Sequence, residues 1–350
     1  MRFGLIGYGH WGVLHAAAIE RSAAAQLVAI AVPSVERQGA ARAAYPAAQV
    51  YPDYRQLLER ADVDVVCVAV PNALHFAVGT NVLRAGKHLL LEKPVALDLG
   101  DVDRLLALAR TQRKLLAVGH QYRASALWGG VRRIIEAGEI GRPLYGLFDL
   151  ARVPYRLGSG GWRYDAERVG SWVFEDLLHL FDLARWYLGD QGEPLSVVAR
   201  GNTRDPDHPE LQDNFSCLLS FSHRSYAVVT QTLAASGLQV HVRIAGTKGT
   251  IEAGLSVGET RDAPLRFRLR YGLGADQREW PVAGPVGEVA EVSAEIERLV
   301  ASICGGESPP CAGEDGRWST LLGLAARESA IRGMEVVLAD FVARPDHLDL

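Results

Sequence analysis

The sequence predicts an α/β protein with an N-terminal doubly wound parallel sheet and a C-terminal α+β region whose sheet is mostly antiparallel. Over roughly the first third of the chain, short apolar runs alternate with longer amphipathic stretches. This alternation is typical of parallel strands covered by helices on both faces. After Arg123, several strand-like runs follow one another with few helices between them, which favours antiparallel pairing.

The length of 350 residues exceeds what one ordinary hydrophobic core organises, so two domains are expected. We place the first domain at residues 1–122 and the second at residues 123–350, where the pattern changes. The predicted strands of the first domain are residues 3–6, 27–32, 63–70, 88–91 and 115–118. The predicted helices between them include residues 13–22, 74–84 and 99–112.

The second domain opens with a predicted helix at residues 125–137, for which Ser125 is a suitable N-cap. Further helices are predicted at residues 171–187, ending near Gly189, and at residues 288–302 and 318–332. The predicted strands are residues 144–153, 196–201, 215–221, 225–232, 239–245, 250–252 and 265–271. Residues 202–209 are predicted to form a loop because Asp, Pro and His dominate them.

Composition narrows the possible partners. The formal net charge is −4, which gives no electrostatic reason to expect nucleic acid or an anionic membrane. No apolar stretch approaches the length that crosses a bilayer, and the first predicted strand leaves no room for a signal peptide. We therefore expect a cytoplasmic protein. The four cysteines form no CxxC pair or zinc-type cluster, so no metal site is expected.

A dinucleotide-type loop follows the first predicted strand. Gly7-Tyr8-Gly9-His10-Trp11-Gly12 matches GxGxxG and opens a helical stretch, which is the context that the motif requires. Gly7 permits the tight turn, Gly9 lets backbone approach a pyrophosphate, and Gly12 allows close contact between helix and strand. The alternative is a glycine-rich turn without a ligand. The motif predicts that NAD or NADP binds along this loop.

The choice between NAD and NADP depends on the end of the second strand. An acidic residue that binds the ribose is expected about 20 residues beyond the loop, but the sequence there is Val32-Pro33-Ser34-Val35-Glu36-Arg37. Ser34 and Arg37 are suited to a 2′-phosphate, although a solvated helix position is the alternative for Arg37. The cofactor stays undecided, with these two residues favouring NADP.

Several motifs in order along the chain resemble the glucose–fructose oxidoreductase, inositol dehydrogenase and rhizopine-catabolism family, called Gfo/Idh/MocA. The most recognisable is Glu92-Lys93-Pro94 after a buried strand. The others are Ala69-Val70-Pro71-Asn72-Ala73-Leu74-His75, Val118-Gly119-His120-Gln121-Tyr122-Arg123, Gly161-Trp162-Arg163, the helix at 170–189 and Ile244-Ala245-Gly246-Thr247-Lys248-Gly249-Thr250.

This resemblance implies a Rossmann domain followed by an open-faced sheet domain that often associates into homodimers or homotetramers. It also implies NAD(P)-dependent oxidation or reduction of a sugar, inositol or related polyol. The predicted activity is hydride transfer between nicotinamide and a secondary alcohol or ketone. Two alternatives stay open: an NAD-dependent glycosidase that acts by transient oxidation, and a non-catalytic NAD(P) sensor. The polyol, the carbon oxidised and the direction are not identified by the sequence.

Two residues are the main catalytic candidates. By resemblance, Lys93 hydrogen-bonds the reacting oxygen, whereas a solvated loop lysine is the alternative. Helical spacing in residues 171–187 places Glu175, His179, Asp182 and Trp186 on one face. His179 is then oriented by a carboxylate and exchanges a proton with the substrate, unless it is only a core histidine.

At this helix the sequence departs from the family pattern. The family usually has Asp four residues before the histidine and Gly two places after that Asp, but this chain has Glu175 and Leu177. Asp176 is adjacent and is a second candidate to support His179. We therefore expect a substrate pocket reshaped from that of the inositol enzymes.

The remaining site predictions also come from the resemblance and from side-chain chemistry. Further cofactor contacts are expected from Pro71, Asn72, His75, Glu92, Gln121, Trp162 and Arg163. Further substrate contacts are expected from Arg123, Tyr155, Tyr164 and Trp172. Aromatic faces suit sugar rings, and Arg suits hydroxyls or an anionic group. A packed loop at a subunit contact is the alternative for the aromatic residues, and a helix cap is the alternative for Asn72.

Overall fold

The computed structural model describes residues 1–258 and 264–344. Its contacts divide the chain into two compact units. The first unit is Met1–Ala124 with Gly287–Trp318, and the second is Ser125–Val286 with the chain from Ser319 onward. The predicted division after residue 122 stays a prediction, since a single cut does not express the return of residues 287–318 to the first unit. The predicted end of the second domain, residues 345–350, lies outside the described residues.

Strands are numbered in chain order. They are β1 Arg2–Ile6, β2 Gln26–Ala31, β3 Gln49–Tyr51, β4 Val65–Val68, β5 His88–Glu92, β6 Leu116–Gly119, β7 Pro143–Ala151, β8 Pro194–Asn202, β9 Asn214–Phe221, β10 Tyr226–Thr232, β11 Leu238–Gly246, β12 Thr250–Val257, β13 Arg266–Gly272, β14 Arg278–Glu279 and β15 Val336–Val337.

Helices follow the same convention. They are α1 His10–Arg21, α2 Val35–Ala44, α3 Tyr54–Leu58, α4 His75–Arg84, α5 Leu99–Thr111, α6 Ala126–Glu136, α7 Ala166–Val169, α8 Leu177–Leu188, α9 Glu288–Gly305, α10 Gly313–Arg332 and α11 Leu338–Ala343. Among the described residues, no helix is both long enough and apolar enough to cross a bilayer.

The first unit contains a six-stranded sheet in the order β3-β2-β1-β4-β5-β6, with all pairs parallel. This order is that of the dinucleotide-binding doubly wound sheet, so the predicted fold class is confirmed. Side chains alternate between the two faces. Leu89 and Leu91 belong to the apolar cluster with α4 and α5, whereas Leu90 belongs to the opposite cluster with α1 and α9.

The second unit contains a nine-stranded sheet in the order β14-β13-β12-β11-β7-β10-β9-β8-β15. β7 and β10 pair parallel, and the other pairs are antiparallel, as predicted. One face packs against helices, where Tyr187 of α8 stacks on Phe148 of β7 with ring centroids 6.2 Å apart. On the other face Val198, Leu218 and Tyr226 remain exposed.

Candidate functional site

The glycine loop connects β1 to α1 in the first unit. Gly7 has φ +95°, and a Cβ there would lie 2.2 Å from the carbonyl oxygen of Ala69 at the end of β4. A Cβ at Gly12 would lie 2.1 Å from the carbonyl oxygen of Gly7. Neither position accepts a side chain without movement of the backbone. The loop thus brings the first turn of α1, with His10 and Trp11, directly onto the carboxyl edge of the sheet, where the free amides of a helix N-terminus attract phosphate.

The side chain of Arg37, a residue of α2, packs against this loop. Ser34 caps α2 by accepting a hydrogen bond from the Arg37 amide at 3.4 Å. The Arg37 guanidinium donates to the carbonyl oxygen of Tyr8 at 3.1 Å and lies 3.1 Å from a Cβ built on Gly9. The half-buried Arg37 side chain is therefore held beside the glycine loop, and its contact with a cofactor phosphate stays a prediction.

The turn after β5 holds Lys93, which is 7% exposed and joined to Pro94 by a cis peptide bond. The ring of His75 lies between two carbonyl oxygens, that of Pro94 at 2.5 Å and that of Val70 at 2.9 Å. Burial lowers the pKa of His75, so a neutral ring donates to one of these oxygens. His75 thereby connects the chain after β4 with the turn after β5, and a cofactor contact by this residue stays a prediction.

Four other predicted cofactor or substrate residues lie at the same sheet edge. Pro71 precedes a 3₁₀ turn that starts at buried Asn72. Gln121 and Arg123 lie in the 3₁₀ turn after β6. The Arg123 guanidinium forms an ion pair with Asp315 at 3.0 Å and approaches the carbonyl oxygen of Pro310 at 3.4 Å. Arg123 therefore has a structural partner that the sequence analysis did not anticipate, and its contact with substrate stays a prediction.

The carboxylate of Glu92 faces the interior. Its Oε1 lies 2.7 Å from Nε2 of His15, and both side chains are buried. The sequence analysis did not select His15. The available signal was a histidine on the same buried side of α1 as Ala16 and Ile19, three residues after the last glycine of the motif.

The predicted continuous helix at 171–187 is wrong. Trp172–Phe174 form a 3₁₀ turn capped by Ser171, whose Oγ accepts from the Val173 amide at 3.2 Å. Glu175 then adopts φ −80° and ψ −115°, and α8 begins only at Leu177. Glu175 therefore does not share a helical face with His179. Asp176 is the N-cap residue, and its carbonyl oxygen accepts from the His179 amide at 3.1 Å.

Each carboxylate before α8 has an arginine partner. Oε2 of buried Glu175 accepts from Nε of Arg163 at 2.8 Å, and the same guanidinium lies 4.6 Å from the Trp162 ring centroid. The Glu175 contact with Arg163 explains the break, because the side chain turns toward the preceding loop rather than along the helix.

Asp176 pairs with Arg152 of the chain after β7, which lies 4.3 Å over the Tyr155 ring. The Tyr155 hydroxyl accepts from the Asp176 amide at 3.2 Å, and burial raises the pKa of Tyr155. Arg152 was missed because its partner lies 24 residues away. The two pairs hold both carboxylates in defined orientations near the start of α8.

An aromatic cavity of about 320 Å³ lies in the second unit. Tyr164 and Trp172 contribute an edge-to-face pair with centroids 5.1 Å apart. Arg204 and Asp213, which form an ion pair at 2.9 Å, also line the cavity. Apolar ring faces next to fixed hydrogen-bonding groups match the chemistry of a polyhydroxylated ring. Arg204 and Asp213 were not selected from the sequence.

The sheet order and the glycine loop define the class of protein as a dinucleotide-binding protein with a Rossmann-type first unit. Two family models match the chain: the oxidoreductase family with an NAD-binding Rossmann fold over residues 1–120, and the GFO/IDH/MocA C-terminal domain over residues 129–252. The chain belongs to the Gfo/Idh/MocA family, as its motifs predicted, and is an NAD(P)-dependent oxidoreductase of the dehydrogenase and reductase type.

Characterised relatives resemble the chain over nearly its whole length. A 1,5-anhydro-D-fructose reductase from Ensifer adhaerens is 28% identical over 337 residues, which cover 92% of this chain and 96% of the relative. A myo-inositol 2-dehydrogenase from Thermotoga maritima is 26% identical over 353 residues, which cover 98% and 100%. A levoglucosan dehydrogenase solved with NADH and levoglucosan superimposes with a TM-score of 0.82 at 24% identity, over 97% and 99% of the two chains. The last similarity shows the fold alone.

Proposed function

We propose that this protein transfers a hydride between a nicotinamide cofactor and a secondary alcohol or ketone of a sugar, inositol or related polyol. The observation that carries the proposal is the position of Lys93. It is a nearly buried ammonium group at the carboxyl end of β5, on the same sheet edge as the glycine loop. β5 is separated from β1 only by β4, and ligands of open parallel sheets bind at this edge.

The first unit fits a dinucleotide. The glycine loop has no room for a side chain at Gly7 or Gly12, and the amides at the start of α1 suit the pyrophosphate. When bound, the nicotinamide supplies the acceptor or donor of the hydride. In the proposed oxidation, His179 accepts the proton of the substrate hydroxyl. By the family resemblance, Lys93 donates a hydrogen bond to the reacting oxygen and stabilises the negative charge that develops on it.

Asp176 supports His179 in this proposal. Its carbonyl oxygen accepts a hydrogen bond from the His179 amide at the first turn of α8. Its carboxylate forms an ion pair with Arg152. Glu175 instead pairs with Arg163, which is part of the predicted contact between Trp162, Arg163 and the cofactor. We therefore assign Glu175 to the loop of Arg163, and we keep Asp176, the N-cap residue of α8, as the proposed support of His179.

NADP is the cofactor that we propose. No carboxylate stands directly at the end of β2, where the chain continues through Val32, Pro33 and Ser34, and the first acidic residue, Glu36, lies in α2. The guanidinium of Arg37 is held against the glycine loop by Tyr8, where a 2′-phosphate would find a positive charge and the Ser34 hydroxyl. Arg matches phosphate geometry, whereas NAD would lack its usual carboxylate partner for the ribose hydroxyl.

The substrate class rests on the aromatic cavity and on the relatives. The cavity volume of about 320 Å³ is at the lower end of typical small-molecule sites. Relatives are named for anhydrofructose and myo-inositol, which are compact polyhydroxylated rings. We propose that Tyr164 and Trp172 form the apolar side of the pocket for such a ring, and that Tyr155, which packs on Trp172 with ring centroids 6.0 Å apart, supports it from behind.

A spectrophotometric screen at 340 nm tests the proposed function. Sugars, inositols and sugar acids are offered with NAD and NADP, and the corresponding ketones with the reduced cofactors. We expect turnover with a cyclic polyol or its ketone and a higher kcat/KM with the phosphorylated cofactor. Dinucleotide that co-purifies without net formation of reduced cofactor, together with release of a glycoside's leaving group, would instead identify a glycosidase. Binding without any turnover would identify a sensor.

Lys93→Met separates catalysis from folding in this assay. We expect kcat to fall by roughly 10²-fold or more, the scale of losing one preorganised donor to a developing oxyanion, while dinucleotide affinity changes little. Lys248→Met is the control, because Lys248 is an exposed lysine with no proposed role. Equal loss of turnover and dinucleotide binding in Lys93→Met would show that Lys93 is structural.

A further inference from the structure

A buried polar cluster lies beneath the Lys93 turn in the first unit. Glu92 of β5 accepts a hydrogen bond from Nε2 of His15 on α1 at 2.7 Å, and the two side chains are 9% and 2% exposed. The proposed reaction uses neither residue. A charged group withdrawn from water to this extent is costly unless it has a specific partner, and His15 is that partner for Glu92.

Glu295 of α9 also faces this cluster. It is 3% exposed, and neither of its carboxylate oxygens has a hydrogen-bond partner among the described residues. Burial, together with the charges of Glu92 and Glu291, raises the pKa of Glu295 well above its usual range. A buried carboxyl without a hydrogen-bond donor favours its neutral form, so Glu92, which has the His15 donor, is the group best placed to carry the negative charge of the cluster.

The groups that face Glu92 come from five elements. His15 lies on α1, His75 on α4, Glu295 on α9 and Cys67 on β4, while Lys93 follows Glu92 directly. Burial raises the pKa of Glu92, but the hydrogen bond from His15 and the neighbouring Lys93 together outweigh burial, so the net shift is downward. Burial also raises the pKa of Cys67, so this thiol adds no charge.

We propose that His15 is a positioning residue of the reaction: by holding Glu92 ionised beneath the turn, it keeps a fixed negative charge next to the Lys93 ammonium. The inference rests on the proposed role of Lys93. Loss of the His15 donor would leave the Glu92 carboxylate buried beside Glu295 without that hydrogen bond. Binding a proton removes the free-energy cost of such a buried charge, so the neutral form of Glu92 would be favoured. The Lys93 ammonium would then lose its adjacent counter-charge.

Four variants test this chain of effects. His15→Leu removes the donor and keeps an apolar residue of similar size. His15→Gln keeps an N–H near the position of Nε2. Glu92→Gln removes the charge and keeps the shape. Glu295→Gln is the matched control, because neither oxygen of the Glu295 carboxyl has a hydrogen-bond partner among the described residues, so an amide there should change the charge of the cluster little.

The pH profile of kcat is the discriminating measurement. In His15→Leu we expect kcat near neutral pH to fall by about tenfold or more, the usual scale for losing an orienting partner, with little change in dinucleotide affinity. Activity should decline further as the pH falls through the raised pKa of Glu92, because the ionised form is the active one. His15→Gln should restore most of the activity and abolish this decline of kcat at low pH, the acid limb of the profile. Glu92→Gln should be slow without such a limb, and Glu295→Gln should resemble the unsubstituted protein.

Labelling of Lys93 provides a readout that needs no substrate. Acetic anhydride acylates the unprotonated amine, and mass spectrometry of the Lys93 peptide follows the rate. We expect faster labelling at fixed pH in His15→Leu and Glu92→Gln, and a return toward the original rate in His15→Gln. If the unsubstituted protein oxidises no polyol, the proposed function fails while this result still decides the inference.

The inference is overturned if folded His15→Leu, judged by its dinucleotide affinity, keeps the original labelling rate. It is also overturned if His15→Gln behaves like His15→Leu in both measurements, or if Glu295→Gln is as impaired as His15→Leu. Each of these outcomes would mean that the cluster serves packing rather than the charge at Glu92.

Discussion

At the scale of single residues, Arg37 decides the expected cofactor preference. Arg37→Ala should reduce kcat/KM for NADP by roughly 10- to 100-fold, the scale of one hydrogen bond to a charged group, and should change kcat/KM for NAD little. The ratio of the two constants is the measurement. Arg42→Ala, an exposed arginine of the same helix, is the control. Equal losses with both cofactors would contradict a specific contact with the 2′-phosphate.

The Arg163–Glu175 pair is expected to be strongly coupled. Its two side chains are 16% and 6% exposed, so removing one partner leaves the other charge poorly solvated. In a double-mutant cycle with Arg163→Met and Glu175→Gln, we expect the double variant to be more stable than additivity predicts, by about 1–3 kcal/mol. Urea unfolding measures each free energy. Additive effects would show that the pair is only a loose surface contact.

Residues of the candidate site could be predicted where their signal is local. The glycine loop is identified by its spacing, and Lys93 became a candidate because Glu92-Lys93-Pro94 resembles a short family motif. His15 and Arg152 depend on partners 77 and 24 residues away in the sequence. Such partners become neighbours only through the order of the strands and loops, and no local pattern of the chain predicts which carboxylate each of them meets.

At the scale of elements, the segment before α8 shows that helical spacing of residues can predict a helix where none forms. Residues 171–187 have helical spacing, yet the local hydrogen bond of Ser171 with Val173 and the ion pair of Glu175 with Arg163 interrupt the helix. Side chains that bond nearby backbone compete with helix formation. The strands β7 to β11 and β13 were predicted close to their observed bounds because alternation of buried and exposed residues is a direct property of a sheet with one open face. For β12 only residues 250–252 of Thr250–Val257 were predicted. β3, with three residues, is too short to give a signal.

The contact between α1 and the glycine loop predicts opposite effects at two glycines. Gly12→Ala should weaken dinucleotide binding and destabilise the protein by about 1–3 kcal/mol, because the new Cβ overlaps backbone that has to move. Gly39→Ala in α2 meets no atom within 4 Å and should stabilise the protein by about 0.5–1 kcal/mol through helix propensity. Thermal unfolding and dinucleotide titration measure both. A neutral Gly12→Ala would contradict the tight loop.

At the scale of the whole molecule, the open face of the nine-stranded sheet favours self-association. Val198, Leu218 and Tyr226 project from adjacent strands β8, β9 and β10 and are 37–40% exposed. We expect a homodimer or homotetramer through this face, because a contiguous apolar patch of this kind is usually covered.

Light scattering coupled to size-exclusion chromatography tests this expectation. Leu218→Glu should lower the molar mass while dinucleotide binding persists, since the substitution is in the second unit. Leu273→Glu, at an exposed leucine after β13, should leave the mass unchanged. An unsubstituted protein that elutes as a monomer at all concentrations would contradict the proposal.

Residues 287–318 join the first unit only after most of the second has been traversed. Ile296 of α9 belongs to the same apolar cluster as Ile19 of α1. During synthesis, a nascent chain that has emerged only to residue 124 leaves this side of α1 uncovered, and exposed apolar surface of that kind attracts chaperones and promotes aggregation. The nucleotide-binding half is therefore completed late in translation, and a gene fragment that ends at residue 124 should yield an insoluble product rather than an autonomous domain.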